Sequence, residues 1–151
     1  MSIRRDFPDL PPVWATGVLA LQVAAALLLP WGRFASGGAA ILGAVGCVAG
    51  LALILWAALW FRAKDTSIEP RDTPRALIVE GPFRLSRNPI YAGMALILIG
   101  AGLLLGSVPA ILLALAFPPI VTRRFILEEE VALRRTFGPE AEEYLRGSRR
   151  W

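Results

Sequence analysis

"IYAGMALILIGAGLLLGSVPAILLALAFPPIVT", Ile90 to Thr122, carries no charged residue, and its division decides the fold. As a single helix it would run about 50 Å, against about 30 Å of hydrocarbon in a bilayer. Gly106, Ser107 and Pro109 interrupt it midway. Glycine ends helices and proline is tolerated in their first turn, so the stretch is predicted to form two short helices joined by a tight turn. Roughly 16 residues in each would need a thin or dented bilayer. Upstream, Leu10 to Gly32 and Phe34 to Phe61 are divided by Arg33 and carry no other charge, and each fits one crossing. The expected fold is therefore an all-α integral membrane protein with about four transmembrane helices, forming one membrane-embedded domain over residues 1–151. A hydrophobic content of 56% agrees with this.

The cationic residues alternate along the chain. Of 16 lysines and arginines, only Arg33 falls between the first and second spans. Arg4 and Arg5 precede the first span, Arg62 through Arg87 separate the second from the third, and Arg123 begins the group after the fourth. The positive-inside rule then puts both termini and the long central loop in the cytoplasm, with a bacterial-type inner membrane or its equivalent as the location. Pro8, Pro11 and Pro12 precede a span longer than a signal core, and no A-x-A site follows, so no cleavable signal is expected. The net charge of +4 is explained by topology and anionic headgroups rather than by nucleic acid.

Histidine is absent and Cys47 is the single cysteine. This removes Ser-His machinery, the usual proton shuttle, an intramolecular disulfide and Cys- or His-based metal clusters. Chemistry must rest on Glu, Asp, Tyr, Arg or a cofactor.

Within the spans, Gln22 is expected to face another helix, since an amide in lipid is costly. Gly43, Gly46 and Gly50 predict close helix packing. Trp14, Trp31, Trp56 and Trp60 sit where interfacial aromatics belong. After Thr122 the pattern of "RRFILEEEVALRRTFG" predicts an amphipathic cytoplasmic helix ended by Gly138-Pro139. On a helical wheel Ile126, Leu133 and Phe137 align, with Glu129 and Glu130 on the two flanks of that stripe. Acids so placed either cost stability or meet a cationic or hydroxylated partner.

Between the second and third spans lies "LIVEGPFRLSRNPIYAGM", Leu77 to Met94. Gly81-Pro82 marks a turn, and Asn88-Pro89 is a helix start that local capping alone would explain. Arg84 and Arg87 would serve equally as juxtamembrane charges. A helix N-terminus there also offers free N–H groups to an anion, and Gly93, one turn inside, leaves room for close approach.

Together with "EEVALRRTFG", Glu129 to Gly138, and the basic end, this stretch resembles the isoprenylcysteine carboxyl methyltransferase and phospholipid methyltransferase group of integral membrane enzymes. The resemblance runs from Leu77 to Trp151. It implies methyl transfer from S-adenosylmethionine to a membrane-embedded acceptor, either an isoprenylcysteine-type carboxylate or a phospholipid amine, with the cofactor-binding part over residues 75–151. Carried over by position, Leu77, Ile78 and Phe83 form a wall of the cofactor pocket. Asn88, Pro89, Ile90 and Tyr91 match its central turn, and Glu129 matches the acid that holds the cofactor.

The acceptor side falls to Glu130, as base for an amine, and to Arg124 or its neighbour Arg123, orienting a carboxylate; Glu130 and Arg124 are the catalytic candidates. Asn88 stands where the family frequently has His. The family's Arg before the Glu pair falls on Phe125, one place after Arg124. A non-enzymatic small membrane protein and a nicotinamide-dependent membrane reductase are the competing classes.

Overall fold

The computed structural model describes residues 9–67 and 74–151. Arg4, Arg5 and Arg71 of the charge pattern lie outside these. Among the described residues the protein is helical throughout: α1 (Pro11–Leu28), α2 (Gly37–Ala63), α3 (Pro89–Leu104), α4 (Val108–Val121), α5 (Leu127–Phe137) and α6 (Pro139–Gly147). A 3₁₀ turn, Gly81–Arg84, precedes α3, and a π-helical turn, Thr122–Ile126, joins α4 to α5 without a break.

Among the described residues three runs are long and apolar enough to cross a membrane: α1, α2 and the continuous 30 residues Val108–Phe137. The fourth apolar helix, α3, has 16 residues, or about 24 Å of rise against the bilayer's roughly 30 Å. The helix that begins at Val108 does not stop near Thr122, where its charges start. Pro118 and Pro119 lie inside α4, and proline deprives a helix of N–H donors. The turn that follows is π-helical, with i→i+5 bonding and a larger radius, and Thr122 Oγ1 donates to the Pro118 carbonyl at 2.8 Å.

The interruption between α3 and α4 is where the glycine and proline predict it. Gly106 takes a positive φ of 58°, and Ser107 caps α4 by accepting from the Ala110 N–H at 3.4 Å. This turn is bonded to the α1–α2 connection: Phe34 N donates to the Gly106 carbonyl at 2.9 Å, and Val108 N to the Gly32 carbonyl at 3.1 Å. The two connections therefore lie together at one end of the bundle.

Glycines set the packing of α2 on α3. A Cβ added to Gly50 would lie 2.5 Å from the Gly93 carbonyl oxygen, and one added to Gly100 would lie 2.6 Å from that of Gly43. Only hydrogen on these Cα atoms allows the backbones to approach so closely. The close approach at Gly93 is thus made by α2.

On the other side α1 packs against α4 and α3. Its Gln22 is fully buried, and its Nε2 donates to the Leu98 and Ala110 carbonyls, both at 2.8 Å. Leu98, Phe117, Val121, Phe125 and Ile126 form the buried core. The outward faces of α1 and α2, including Leu21, Leu27, Ile41 and Val48, are exposed and apolar, as a lipid-facing surface must be.

Candidate functional site

At the end of the bundle where α1 and α3 begin and α2 ends, a cavity of about 800 Å³ opens. Its walls come from Leu10, Pro11 and Pro12 at the start of α1, Phe61 near the end of α2, and Thr66, Ser67 and Ala76 in the connection. Met94 of α3, Glu128 and Leu133 of α5, and Tyr144 and Leu145 of α6 complete the enclosure. Leu77, Ile78, Phe83, Asn88, Pro89, Ile90, Tyr91 and Glu129, which the sequence groups as a cofactor site, all line it, and so does Glu130. Arg124 does not belong to this lining.

The turn before α3 owes its shape to local packing. Gly81 has a φ of 58° and lies against the Trp60 indole, where no Cβ fits. Phe83 is buried edge-on to Phe61, with ring centroids 5.5 Å apart at 80°, and packs with Ile78 and Ala57. Lys64 Nζ donates to Glu80 Oε1 at 2.8 Å, and this bond lowers the Glu80 carboxyl's pKa. Residues 76–80 follow an irregular path and present Leu77 and Ile78 to the cavity.

Asn88 precedes the first residue of α3, yet its side chain makes no cap bond. Its Nδ2 donates instead to the carbonyl of Arg150 at 3.0 Å, and its backbone N–H to Ser86 Oγ at 3.1 Å. Asn88, the residue expected to cap α3, is therefore not its cap.

The two acids of α5 have different environments. Glu129 is half-buried and accepts a hydrogen bond from the Tyr91 hydroxyl, which links α5 to the first turn of α3. Glu130 is 5% exposed and is gripped by the Arg150 guanidinium, with Nε to Oε1 and Nη2 to Oε2 both at 2.8 Å. Arg87 Nη2 stands 3.8 Å from the same carboxylate. The Arg150 pKa is raised by this bond. Arg124 forms a comparable fork with Asp9, at 3.0 and 2.8 Å, and its side chain is half exposed.

Sequence reasoning did not single out three polar residues of the site. Arg87 lines the cavity, bonds the Leu145 carbonyl through Nη1, and has a buried Nε with no hydrogen-bond partner among the described residues. Its one signal was its position beside Asn-Pro, which juxtamembrane charge explained equally well. The Tyr144 hydroxyl donates to the Phe83 carbonyl at 3.1 Å, and burial pushes its pKa up to about 12. Arg150 belongs to the basic end, whose return to the site no helical periodicity encodes.

The volume lies within the few hundred to about 1,000 Å³ of small-molecule sites. Apolar side chains, a helix N-terminus, a buried guanidinium donor and carboxylate acceptors suit a zwitterionic nucleoside cofactor carrying a carboxylate, an amine and ribose hydroxyls.

No curated protein and no solved structure matches the chain. The family model described as Phospholipid methyltransferase matches residues 39–140, two thirds of the sequence. That match takes in α2, α3, α4 and α5 and ends before the basic tail. It agrees with the resemblance carried by the two motifs and implies an integral membrane methyltransferase, and the chain belongs to the phospholipid methyltransferase family.

Proposed function

We propose that the protein transfers a methyl group from S-adenosylmethionine to a membrane-embedded acceptor, a phospholipid amine or an isoprenylcysteine-type carboxylate. One observation carries this reading: residues from two separated motifs and the starts of two membrane helices meet in a single cavity of cofactor size. The family match is what favours a lipid acceptor.

When bound, the sulfonium cofactor supplies a methyl carbon already activated for in-line displacement, so neither a covalent nucleophile nor a histidine is needed. The residues bind, orient and exclude water. The first turn of α3, with the Arg87 guanidinium, receives an anionic group. Glu129, held by Tyr91, accepts bonds from an amine or from hydroxyls. Leu77, Ile78, Phe83 and Ile90 form a dry wall.

On the acceptor side Glu130 takes the proton of an amine. A carboxylate has about four lone-pair sites, and the Arg150 fork uses two. Arg124 orients an anionic acceptor group once Asp9 releases it. Entry is from the bilayer, past the apolar starts of α1 and α3.

The arrangement in the membrane follows the same reading: four passes, the cavity and both termini cytoplasmic, and α5 and α6 forming the amphipathic end. The arginine asymmetry supports it, as does the bonding of the Arg33 connection to the α3–α4 turn at the end of the bundle opposite the cavity. In a Cys47→Ala background, Ser36→Cys and Glu143→Cys are expected to label from opposite sides of the membrane. Labelling from one side would refute the orientation.

Calorimetric titration of the purified protein tests the function, with S-adenosylhomocysteine expected to bind and NADPH expected not to. Binding of NADPH alone would favour a reductase, and binding of neither a non-enzymatic role.

A further inference from the structure

The C-terminal residues return to the site along a path that a solvated basic tail would not follow. Arg87 N donates to the Arg149 carbonyl at 2.8 Å, and Ser86 Oγ and Asn88 Nδ2 both donate to the Arg150 carbonyl, at 3.1 and 3.0 Å. The Arg150 side chain then crosses to α5 and closes its fork on Glu130. Ser148 folds back on α6, its N–H and Oγ both donating to the Tyr144 carbonyl, while the Tyr144 hydroxyl reaches the Phe83 carbonyl. One residue, Arg150, thus bonds the turn before α3 through its backbone and α5 through its side chain.

This arrangement is hard to account for as surface charge. Glu130 is buried, and a buried carboxylate without its cation would be strongly unfavourable. A guanidinium fork also fixes direction as well as distance, which an ammonium does not. The Asn88 amide, which would otherwise be free to cap α3, is held off the helix end by the Arg150 carbonyl. The tail therefore keeps the Asn88 side chain off the first turn of α3.

We infer that Arg150 is a positioning residue of the cofactor site: it straps the Ser86–Asn88 turn to Glu130, holding the start of α3 and the acids of α5 at the separation the cofactor requires. The inference rests on the proposed function and adds a residue beyond those the family match covers. Arg150 itself is not assigned a contact with cofactor or acceptor.

The test compares the full-length parent, Arg150→Ala and Arg150→Lys in detergent by two measurements. Calorimetry gives the affinity for S-adenosylhomocysteine, and hydrogen exchange without ligand reports the Arg87 amide, whose acceptor is the Arg149 carbonyl. Arg150→Ala is expected to weaken binding by about tenfold or more and to speed exchange at Arg87, leaving amides in α1 and α2 unchanged. Arg150→Lys, keeping charge without the fork, is expected to fall between, and it carries the comparison if Arg150→Ala does not fold.

Glu130→Gln, Arg150→Gln and the double variant complete a cycle, in which the double variant should lose little more than either single one. A lower melting temperature with parent affinity and parent exchange at Arg87 would overturn the inference, and so would additive losses in the cycle. If the parent itself fails to bind S-adenosylhomocysteine, the proposed function fails. The exchange measurement then still decides whether the strap exists, since faster exchange at Arg87 supports it and unchanged exchange refutes it.

Discussion

Gly50→Ala is expected to disrupt the fold severely, although it adds a single methyl group. The new Cβ would sit 2.5 Å from the Gly93 carbonyl oxygen and 2.8 Å from Ile97 Cγ1. The first of these neighbours is backbone inside α3, so relief requires α2 and α3 to separate. Separation is costly because membrane helices lack a hydrophobic drive to reassociate and depend on close packing. The crossing also recurs one heptad on, at Gly43 and Gly100, so a local shift propagates along the interface. Overpacking of this kind costs about 3 kcal/mol, the upper part of its usual range.

Thermal melting in detergent, with size-exclusion chromatography, would measure this loss. Gly17→Ala is the control, because nothing lies within 4 Å of the position its Cβ would take. If Gly50→Ala melts with Gly17→Ala and the parent, the glycine crossing is not what holds the two helices together.

Glu129→Gln is expected to produce the largest loss of cofactor binding with little loss of fold. The carboxylate sits at the cavity wall and accepts a bond from Tyr91, whereas Glu130 is buried in an arginine fork. A hydrogen bond to a charged group is worth about 1.5–3 kcal/mol, or roughly 10- to 150-fold in affinity. Glutamine keeps the shape and one acceptor oxygen but loses the charge. Titration with S-adenosylhomocysteine and melting curves with and without it separate the two roles. A binding residue loses affinity and ligand-induced stabilisation, whereas a purely structural one lowers the melting temperature and leaves affinity unchanged. Tyr91→Phe should lose less, since it removes one bond to the carboxylate and keeps the charge.

Much of the architecture was legible in the residues because the bilayer leaves few options. A backbone in hydrocarbon must bond within itself, so long uncharged stretches are helices, and glycine with proline in such a stretch marks its turn. Gly43 and Gly50 announced close packing, Gln22 announced a buried amide, and the two motifs named eight residues that the fold gathers in one cavity.

Helix length was less legible. Charge beginning at Arg123 suggested an end near Thr122, but a helix responds to its backbone hydrogen bonds rather than to the polarity of its side chains. The π-helical turn carries α4 directly into α5.

The local sequence also left Asn88, Gly93 and Arg150 undecided. Asn88 has the chemistry of a cap, and Gly93 that of a ligand approach. Their actual partners are Arg150, 62 residues along the chain, and Gly50 of the preceding helix. Sequence by itself determined which segments are helical and which residue types could serve a cofactor. Tertiary structure decided which polar groups are consumed by one another, because that depends on which distant carbonyl or carboxylate arrives within about 3 Å, a distance no periodicity contains.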